Sequence, residues 1–173
     1  MKRSVAMGLL AVLGVLAAQP LWATEKIELT TRVSGVVDHV LVKVGQRVSK
    51  GTVLLQLHKT ILQARLDEAR AEHARAQADE VDAKRELDRA QDVFDRKVSS
   101  TSELDVALLR HARVQAGLSV ANARRVIAQQ NLNDADLKAP LTGVITGLPG
   151  TPGTVVTAEC SPRTLVILDT GRP

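Results

Sequence analysis

The chain has 173 residues, enough for one domain or a small composite, and its 45% hydrophobic and 24% charged residues exclude a disordered polyelectrolyte. Aromatic residues make up 1%, with one Trp, one Phe and no Tyr, which excludes a core built on aromatic side chains. The net charge of +4 includes Lys2 and Arg3, and removing those two charges leaves +2. The sequence also has no stacking aromatic residues among its basic residues, so nucleic-acid binding is not predicted.

The N-terminus has the layout of a secretory signal peptide. Met1-Lys2-Arg3 is basic, Val5 to Ala18 is a run of 14 uncharged residues, and a helix-breaking Pro follows before Leu21-Trp22-Ala23. An apolar run of this length is short of the ~20 residues that span a bilayer as a helix. We therefore predict a signal over residues 1–23, cleaved after Ala23, with Ala18 as a second candidate, and an exported mature chain.

Residues 24–58 are predicted to form the first half of a β-domain. Valines recur in short runs, and Gly35, Gly45 and Gly51 punctuate them. Short apolar runs bounded by glycine are typical of short strands joined by tight turns.

Residues 59–136 have the composition and spacing of a helical coiled coil. Between Thr60 and Asp136 there is no Pro and one Gly, and helix formers predominate. Apolar and small residues repeat at alternating steps of three and four, as the seam between two helices requires. The first series is Leu62, Leu66, Ala69, His73, Ala76, Glu80, Ala83, Leu87, Ala90, Phe94 and Lys97. The second is Leu104, Ala107, His111, Val114, Leu118, Ala121, Arg125, Ala128, Leu132 and Ala135.

The two series are separated by a serine-rich break. Ser100 and Glu103 have the spacing of a capping box that begins a new helix, so two helices folded back as an antiparallel hairpin are predicted. Pairing centred between Ser100 and Thr101 places Glu80 and Arg125 in neighbouring layers of the seam. We expect these two charges to neutralise each other there.

Residues 137–173 repeat the first β-half. Gly143 corresponds to Gly35 and Gly153 to Gly45, with the same ten-residue interval, and the copies diverge around Cys160. Each half has too few strands to bury a core alone, so the halves must pack together. The predicted fold class is α+β: a split lipoyl/biotinyl-like β-sandwich with quasi-twofold symmetry and an inserted long antiparallel coiled-coil hairpin. The five glycines named above are predicted to be structural turn residues.

This order of elements resembles the periplasmic adaptor, or membrane fusion protein, family (HlyD-like, of the type found in efflux systems), here in a short form. The segment from Gly35 through Val44-Gly45-Gln46-Arg47-Val48 to Leu57 looks like the family's first lipoyl half. Leu137-Lys138-Ala139-Pro140-Leu141-Thr142-Gly143 is similar to the motif that re-enters the lipoyl unit. The resemblance covers nearly the whole mature chain.

The resemblance also implies a binding tip. Arg89, Val93 and Ser100 match the Arg, Leu and Ser of the family's hairpin-tip motif, with Val in place of Leu. In that family the tip docks onto a TolC-type outer-membrane channel. The resemblance therefore implies a non-catalytic periplasmic subunit that links an inner-membrane transporter, of RND or ABC type, to that channel, and that forms a homo-oligomer or a mixed ring.

Full-length adaptors add a β-barrel and a membrane-proximal domain, and we expect this chain to have neither. We therefore expect either a shortened adaptor or an accessory subunit that works beside a full-length one.

Three other functions fit the sequence less well. A lipoyl or biotinyl carrier would need its modified lysine at the tip of an exposed β-turn, and Lys59 instead lies at the base of the predicted hairpin. A purely structural coiled-coil envelope protein would not explain the repeated β-halves. The four histidines show no ligand spacing, Cys160 stands alone, and no catalytic constellation is found, so no metal, cofactor or enzyme activity is predicted.

Overall fold

The structure is a computed structural model that describes residues 25–97, 100–158 and 163–171. The predicted signal peptide and Cys160 lie outside these ranges. The elements in chain order are β1 (Lys26–Leu29), β2 (Gly35–Val40), β3 (Arg47–Val48), β4 (Val53–Leu57), α1 (Thr60–Asp95), α2 (Thr101–Asn133), β5 (Asp136–Lys138), β6 (Gly143–Gly147), β7 (Val155–Val156) and β8 (Val166–Asp169). The predicted α+β sandwich with an inserted antiparallel hairpin is confirmed.

The strands form two four-stranded sheets with the same internal order. One sheet runs β1-β8-β6-β3 and the other β5-β4-β2-β7. The second order is obtained from the first by replacing each strand with its equivalent in the other half of the chain. The two halves of the sequence repeat are therefore related by a quasi-twofold axis. The prediction missed β1, although Ile27 and Leu29 alternate there with Lys26 and Glu28 as a half-buried strand requires.

The two halves exchange their short strands. β3 pairs with β6 of the second half, and β7 pairs with β2 of the first. The turns before these strands make equivalent bonds: the Gly45 N–H donates to the carbonyl of Ile145 (2.7 Å) and the Gly153 N–H donates to the carbonyl of Val37 (2.8 Å). Each half therefore completes the sheet of the other, as the shortage of strands in each half requires.

The core between the sheets is aliphatic. Its most buried side chains, at 1% exposure or less, are Val37, Leu54, Leu55, Leu57, Ile145, Leu165, Val166 and Leu168. Each such side chain contributes about 1.5–3 kcal/mol relative to exposure, so the core does not need aromatic residues. Leu62 from the start of α1 and Ala135 after α2 join the same cluster. The base of the hairpin is thereby packed into the sandwich.

The hairpin follows the predicted heptads. α1 has 36 residues and α2 has 33, which at 1.5 Å per residue makes arms of about 54 and 50 Å. Every residue of both predicted seam series is buried or half-buried except Lys97, which is exposed and lies beyond the end of α1.

The predicted register between the helices is wrong by about one heptad. α1 ends at Asp95 because Lys97 takes a left-handed backbone conformation, with φ of 57°. Glu72 pairs across the hairpin with Arg124, five residues nearer the tip than the position that the predicted register sets opposite it. One heptad is the nearest shift that keeps both series in the seam. The heptad pattern alone cannot detect this error, because a shift of seven residues keeps every seam position in the seam.

The proposed pairing of Glu80 with Arg125 is wrong for the same reason. Glu80 instead contacts His111, with 3.2 Å between Oε1 and Nε2. Arg125 donates from its Nη2 to the Asn122 side chain (3.0 Å), while its Nε is buried without a hydrogen-bond partner. The seam therefore contains a hydrogen-bonded polar pair, Glu80 with His111, and an arginine whose buried Nε has no partner among the described residues.

Candidate docking site at the hairpin tip

The last turns of α1 present a donor and an apolar side chain on one face. Arg89 and Val93 are four residues apart, which places them one above the other on the helix. Val93 is 42% exposed. Arg89 is also exposed, and its Nε donates to the backbone carbonyl of Arg85 (3.2 Å). Within the described ranges Arg89 makes no ion pair, so its remaining N–H donors face solvent.

Ser100 is the N-cap residue of α2. Its extended backbone, with φ of −82° and ψ of 157°, has the geometry of a cap, which confirms the predicted start of the helix. The side-chain half of the predicted capping box does not form, because the hydroxyl makes no cap hydrogen bond. The Glu103 N–H donates instead to the carbonyl of Ser100 (3.2 Å). Among the residues that the structure describes, the Ser100 hydroxyl therefore makes no hydrogen bond that caps α2.

The tip region thus carries three chemically different groups, two on the last two turns of α1 and one at the start of α2. The Arg89 guanidinium can donate several hydrogen bonds to carbonyl or carboxylate oxygens. Val93 offers a small apolar surface, and the Ser100 hydroxyl both donates and accepts. These groups can make both polar and apolar contacts with a protein surface.

A half-buried polar cluster that was not predicted from the sequence lies at the base of the hairpin. Asp136, the first residue of β5, accepts hydrogen bonds from Gln56 Nε2 (2.8 Å) and Lys59 Nζ (2.8 Å). Burial alone would raise the pKa of Asp136, but these hydrogen bonds and the Lys59 charge hold it below its ordinary value. The sequence signal that could have predicted this cluster is the opposite charge of Lys59 and Asp136, which lie at the two ends of the helical insertion.

The same cluster holds the Lys59 side chain at the base of the hairpin. Its ammonium group lies 2.7 Å from Oδ1 of Asp136, and its backbone caps α1. A carrier lysine must instead lie at the tip of an exposed β-turn. The structure therefore gives Lys59 a role in anchoring the hairpin.

The five predicted turn glycines fall into two groups. Gly45, Gly51 and Gly153 have φ of +84°, +87° and +84°, a left-handed conformation that disfavours other residues. Gly35 and Gly143 are the first residues of β2 and β6 and not turn residues. A Cβ on Gly143 would collide with the carbonyl oxygen of Asp169 on β8, so this glycine permits close strand packing.

The histidines do not converge on a site. His111 Nε2 lies 3.2 Å from Glu80 Oε1, and His39 Nδ1 lies 3.1 Å from Oδ2 of the adjacent Asp38. Across residues 25–97, 100–158 and 163–171, no three His, Cys, Asp or Glu side chains are grouped so that they could hold a metal ion. None of the helices described is both long and apolar enough to cross a membrane.

Residues 25–165 match the family model of the CzcB-like, barrel-sandwich hybrid domain. The chain belongs to this family. The CzcB-like chain is 33% identical over 145 residues to the efflux pump periplasmic linker BepF of Brucella suis biovar 1 (strain 1330), covering 84% of this chain and 35% of BepF. It is 31% identical to the uncharacterized protein YdhJ of Escherichia coli (strain K12), covering 81% and 54%. It therefore spans between about a third and about half of these relatives.

Solved structures share the fold of this CzcB-like chain. The membrane fusion protein Spr0693 from Streptococcus pneumoniae R6 superposes with a TM-score of 0.64 at 19% identity, covering 86% of this chain and 60% of that one. A MacA-MexA chimeric protein that contains the Pseudomonas aeruginosa MexA α-hairpin domain gives a TM-score of 0.62 at 21% identity, covering 84% and 46%. The resemblance to membrane fusion proteins is thus confirmed at the level of family and fold.

Proposed function

We propose that this chain is a periplasmic adaptor subunit that links an inner-membrane transporter to a TolC-type outer-membrane channel in efflux or secretion. The observation that carries the proposal is the hairpin tip. An arm of about 54 Å holds Arg89, Val93 and Ser100 at its far end, with the guanidinium and the hydroxyl free of side-chain partners in the described part of the chain. The anchored base makes the arm suitable as a spacer.

The relatives of this chain support the proposed adaptor function. BepF is named as an efflux pump periplasmic linker, and it aligns with most of this chain. This likeness supports the proposal that the mature chain works in the periplasm, peripheral to the envelope membranes, after removal of residues 1–23. The partner on the inner-membrane side is proposed to be a transporter of RND or ABC type. The subunit is proposed to work as a homo-oligomer or in a mixed ring with a longer adaptor.

On this proposal the chain performs no catalysis. The transporter supplies the energy, and the adaptor contributes length, orientation and docking surfaces. A purely structural coiled-coil protein would need the hairpin alone. The strand exchange between the β-halves, which holds both ends of the hairpin in one sandwich, favours a subunit that must direct its arm.

The test is charge reversal at the tip. Arg89→Glu should leave helicity and thermal unfolding nearly unchanged, because Arg89 lies outside the seam. It should abolish capture of a purified, detergent-solubilised TolC-type channel from the same genome and should fail to complement a deletion of the chain. Arg85→Glu is the matched control: it makes the same charge change one turn away and should keep capture.

A second variant tests the apolar contact. Val93→Leu restores the residue usual in the family motif and adds one methylene, worth about 0.8 kcal/mol if fully buried at the interface. It should therefore raise affinity for the channel by up to about fourfold. Equal capture by wild type and Arg89→Glu, or equal loss in Arg85→Glu, would show that the tip does not dock as proposed.

A further inference from the structure

Lys97 has a backbone conformation that residues with side chains disfavour. Its φ is 57°, and among the residues that the structure describes it is the one non-glycine residue with a positive φ. The others in those ranges are Gly45, Gly51, Gly153 and Gly171. In the left-handed conformation Cβ lies too close to the following carbonyl oxygen, so a side chain there reduces stability relative to glycine.

The end of α1 explains this backbone conformation but not the lysine. Arg96 is the C-cap residue, and the Lys97 N–H donates to the carbonyl of Phe94 (2.8 Å), which closes the last turn of the helix. A left-handed residue directly after the C-cap is a common helix ending, and glycine is the usual residue there. Lysine therefore occupies a position that glycine would fill with less strain.

Contacts within the chain do not account for the side chain. Lys97 is exposed. Across residues 25–97, 100–158 and 163–171, its ammonium group has no ion pair or side-chain hydrogen bond, and Asp92 and Asp95 of the last turn of α1 do not pair with it. Asp95 instead accepts a hydrogen bond from Gln91 on its own helix (3.0 Å). An exposed cation gains little from the helix dipole alone, because solvent and salt screen it.

Lys97 continues a line of exposed residues at the end of the arm. Arg89, Val93 and Arg96 are four and three residues apart, so they lie along one face at the end of α1, and all three are exposed. Intervals of three, four and seven residues are those by which one helix face contacts a protein partner. Lys97 follows Arg96 at the point where the chain leaves the helix. Two cations, Arg96 and Lys97, therefore lie closer to the turn than the predicted contacts of α1.

We propose that Lys97 is a specificity-determining contact of the hairpin tip, and that its ammonium group binds a carboxylate on the docking surface of the partner. The inference rests on the proposed function, because it adds a contact to the same tip. An ammonium group on a flexible four-carbon stem acts as a compact point charge. It attracts an acidic docking surface and repels a basic one, so it selects among partners as well as adding affinity.

This contact explains why a strained residue is retained at the tip. A conformation that reduces stability persists at a functional position when the side chain there is needed. Replacement of Lys97 by glycine should therefore change stability and binding in opposite directions. A lysine with only a structural role would change both in the same direction.

The first experiment compares three variants of Lys97. Lys97→Gly and Lys97→Ala both remove the ammonium group, but only glycine relieves the backbone. Both should weaken capture of the purified, detergent-solubilised TolC-type channel by about three- to tenfold at low ionic strength. Lys97→Gly should melt at a higher temperature than wild type, and Lys97→Ala should not. Lys97→Arg keeps the cation and should capture the channel within about twofold of wild type.

The matched control is Lys43→Ala. Lys43 is an exposed lysine in the connection between β2 and β3, and it makes no ion pair in the described part of the chain. Its replacement changes the net charge equally, but at the sandwich and away from the tip. It should therefore leave capture unchanged.

The second experiment measures capture as the salt concentration is raised. The affinity of wild type and of Lys97→Arg should fall more steeply than that of Lys97→Ala, because salt screens an exposed ion pair. The inference is overturned by equal capture in wild type and Lys97→Gly, by a lower melting temperature in Lys97→Gly, or by equal salt dependence in all variants. If any of these occurs while Arg89→Glu still abolishes capture, the proposed function stands. No capture by wild type would overturn the proposed function itself, and this contact with it.

Discussion

Glu80 Oε1 lies 3.2 Å from His111 Nε2 across the interior of the hairpin, and each side chain is only about one-fifth exposed. A polar group in an apolar seam is costly unless a partner satisfies it. A register shift of one heptad would keep every seam residue in the seam but would separate these two groups. The pair therefore discriminates between registers that the heptad pattern treats as equivalent.

A double-mutant cycle tests this pair. Glu80→Ala and His111→Ala should show a coupling free energy of about 0.5–1 kcal/mol in chemical denaturation, because removing either residue leaves the other half-buried and unpaired. The control cycle combines Glu80→Ala with Arg125→Ala, and those effects should add to within about 0.5 kcal/mol. Coupling of Glu80 to Arg125 instead of His111 would contradict the register described above.

The base cluster predicts a pH dependence. The hydrogen bonds from Lys59 and Gln56 hold the pKa of Asp136 below its value of about 3.9 in the unfolded chain. The resulting stabilisation is fully present above that unfolded value and is lost as pH falls through the lower, folded-state pKa. Asp136→Asn should therefore be less stable than wild type near neutral pH, and the difference should shrink below about pH 4.

The matched control for that variant is Asp67→Asn. Asp67 pairs with Arg70 on the exposed face of α1, at 3.2 Å. Its replacement should change the free energy of unfolding by less than about 0.5 kcal/mol. If the difference between wild type and Asp136→Asn were constant from pH 7 to pH 3, the cluster would not be the source of the acid sensitivity.

Two glycine-to-alanine substitutions should have opposite signs. Gly117→Ala fills open space in a helix interior and should stabilise the protein by up to about 1 kcal/mol. Gly143→Ala places a methyl group against the backbone of β8 and should destabilise it by about 1–3 kcal/mol. Melting temperatures of the two variants and wild type check both; a stabilising Gly143→Ala would mean that β6 and β8 are not in close contact.

The predicted signal peptide has a spectroscopic consequence. Trp22 is the one tryptophan of the chain, and there is no tyrosine. Protein recovered from the periplasm after cleavage behind Ala23 should therefore have almost no absorbance at 280 nm. A normal tryptophan band on that material, with the intact mass, would show that residues 1–23 are retained.

The sequence allowed most of the fold to be predicted, because two of its signals are periodic. The heptads identified nearly every seam position, and the repeat from Gly35 to Gly143 identified the two β-halves and their packing. β1 was missed because a four-residue strand gives only two apolar positions, Ile27 and Leu29. Short strands are stabilised by their partners, and the partner of β1 lies about 140 residues later in the chain.

The residues of the hairpin tip could be predicted from the sequence, but their hydrogen bonds and the pairing of the two helices could not. Arg89, Val93 and Ser100 could be named from a motif, but the lack of a side-chain cap at Ser100 could not, because the spacing to Glu103 equally allows a closed capping box. The cross-helix pairs Glu72–Arg124 and Glu80–His111 required the correct register, which the heptad pattern alone does not give.

The hairpin occupies the connection between β4 and β5, two strands that pair directly with each other. For an unstructured connection, closing a loop of this length costs more entropy than a tight turn, and the cost rises with loop length. Helices form from local contacts, so a folded hairpin brings the ends of β4 and β5 together as a short turn would. We therefore expect the order of folding to run from arm to sandwich: weakening the seam should slow the appearance of the sheets, whereas weakening the sheets should leave the arm able to form.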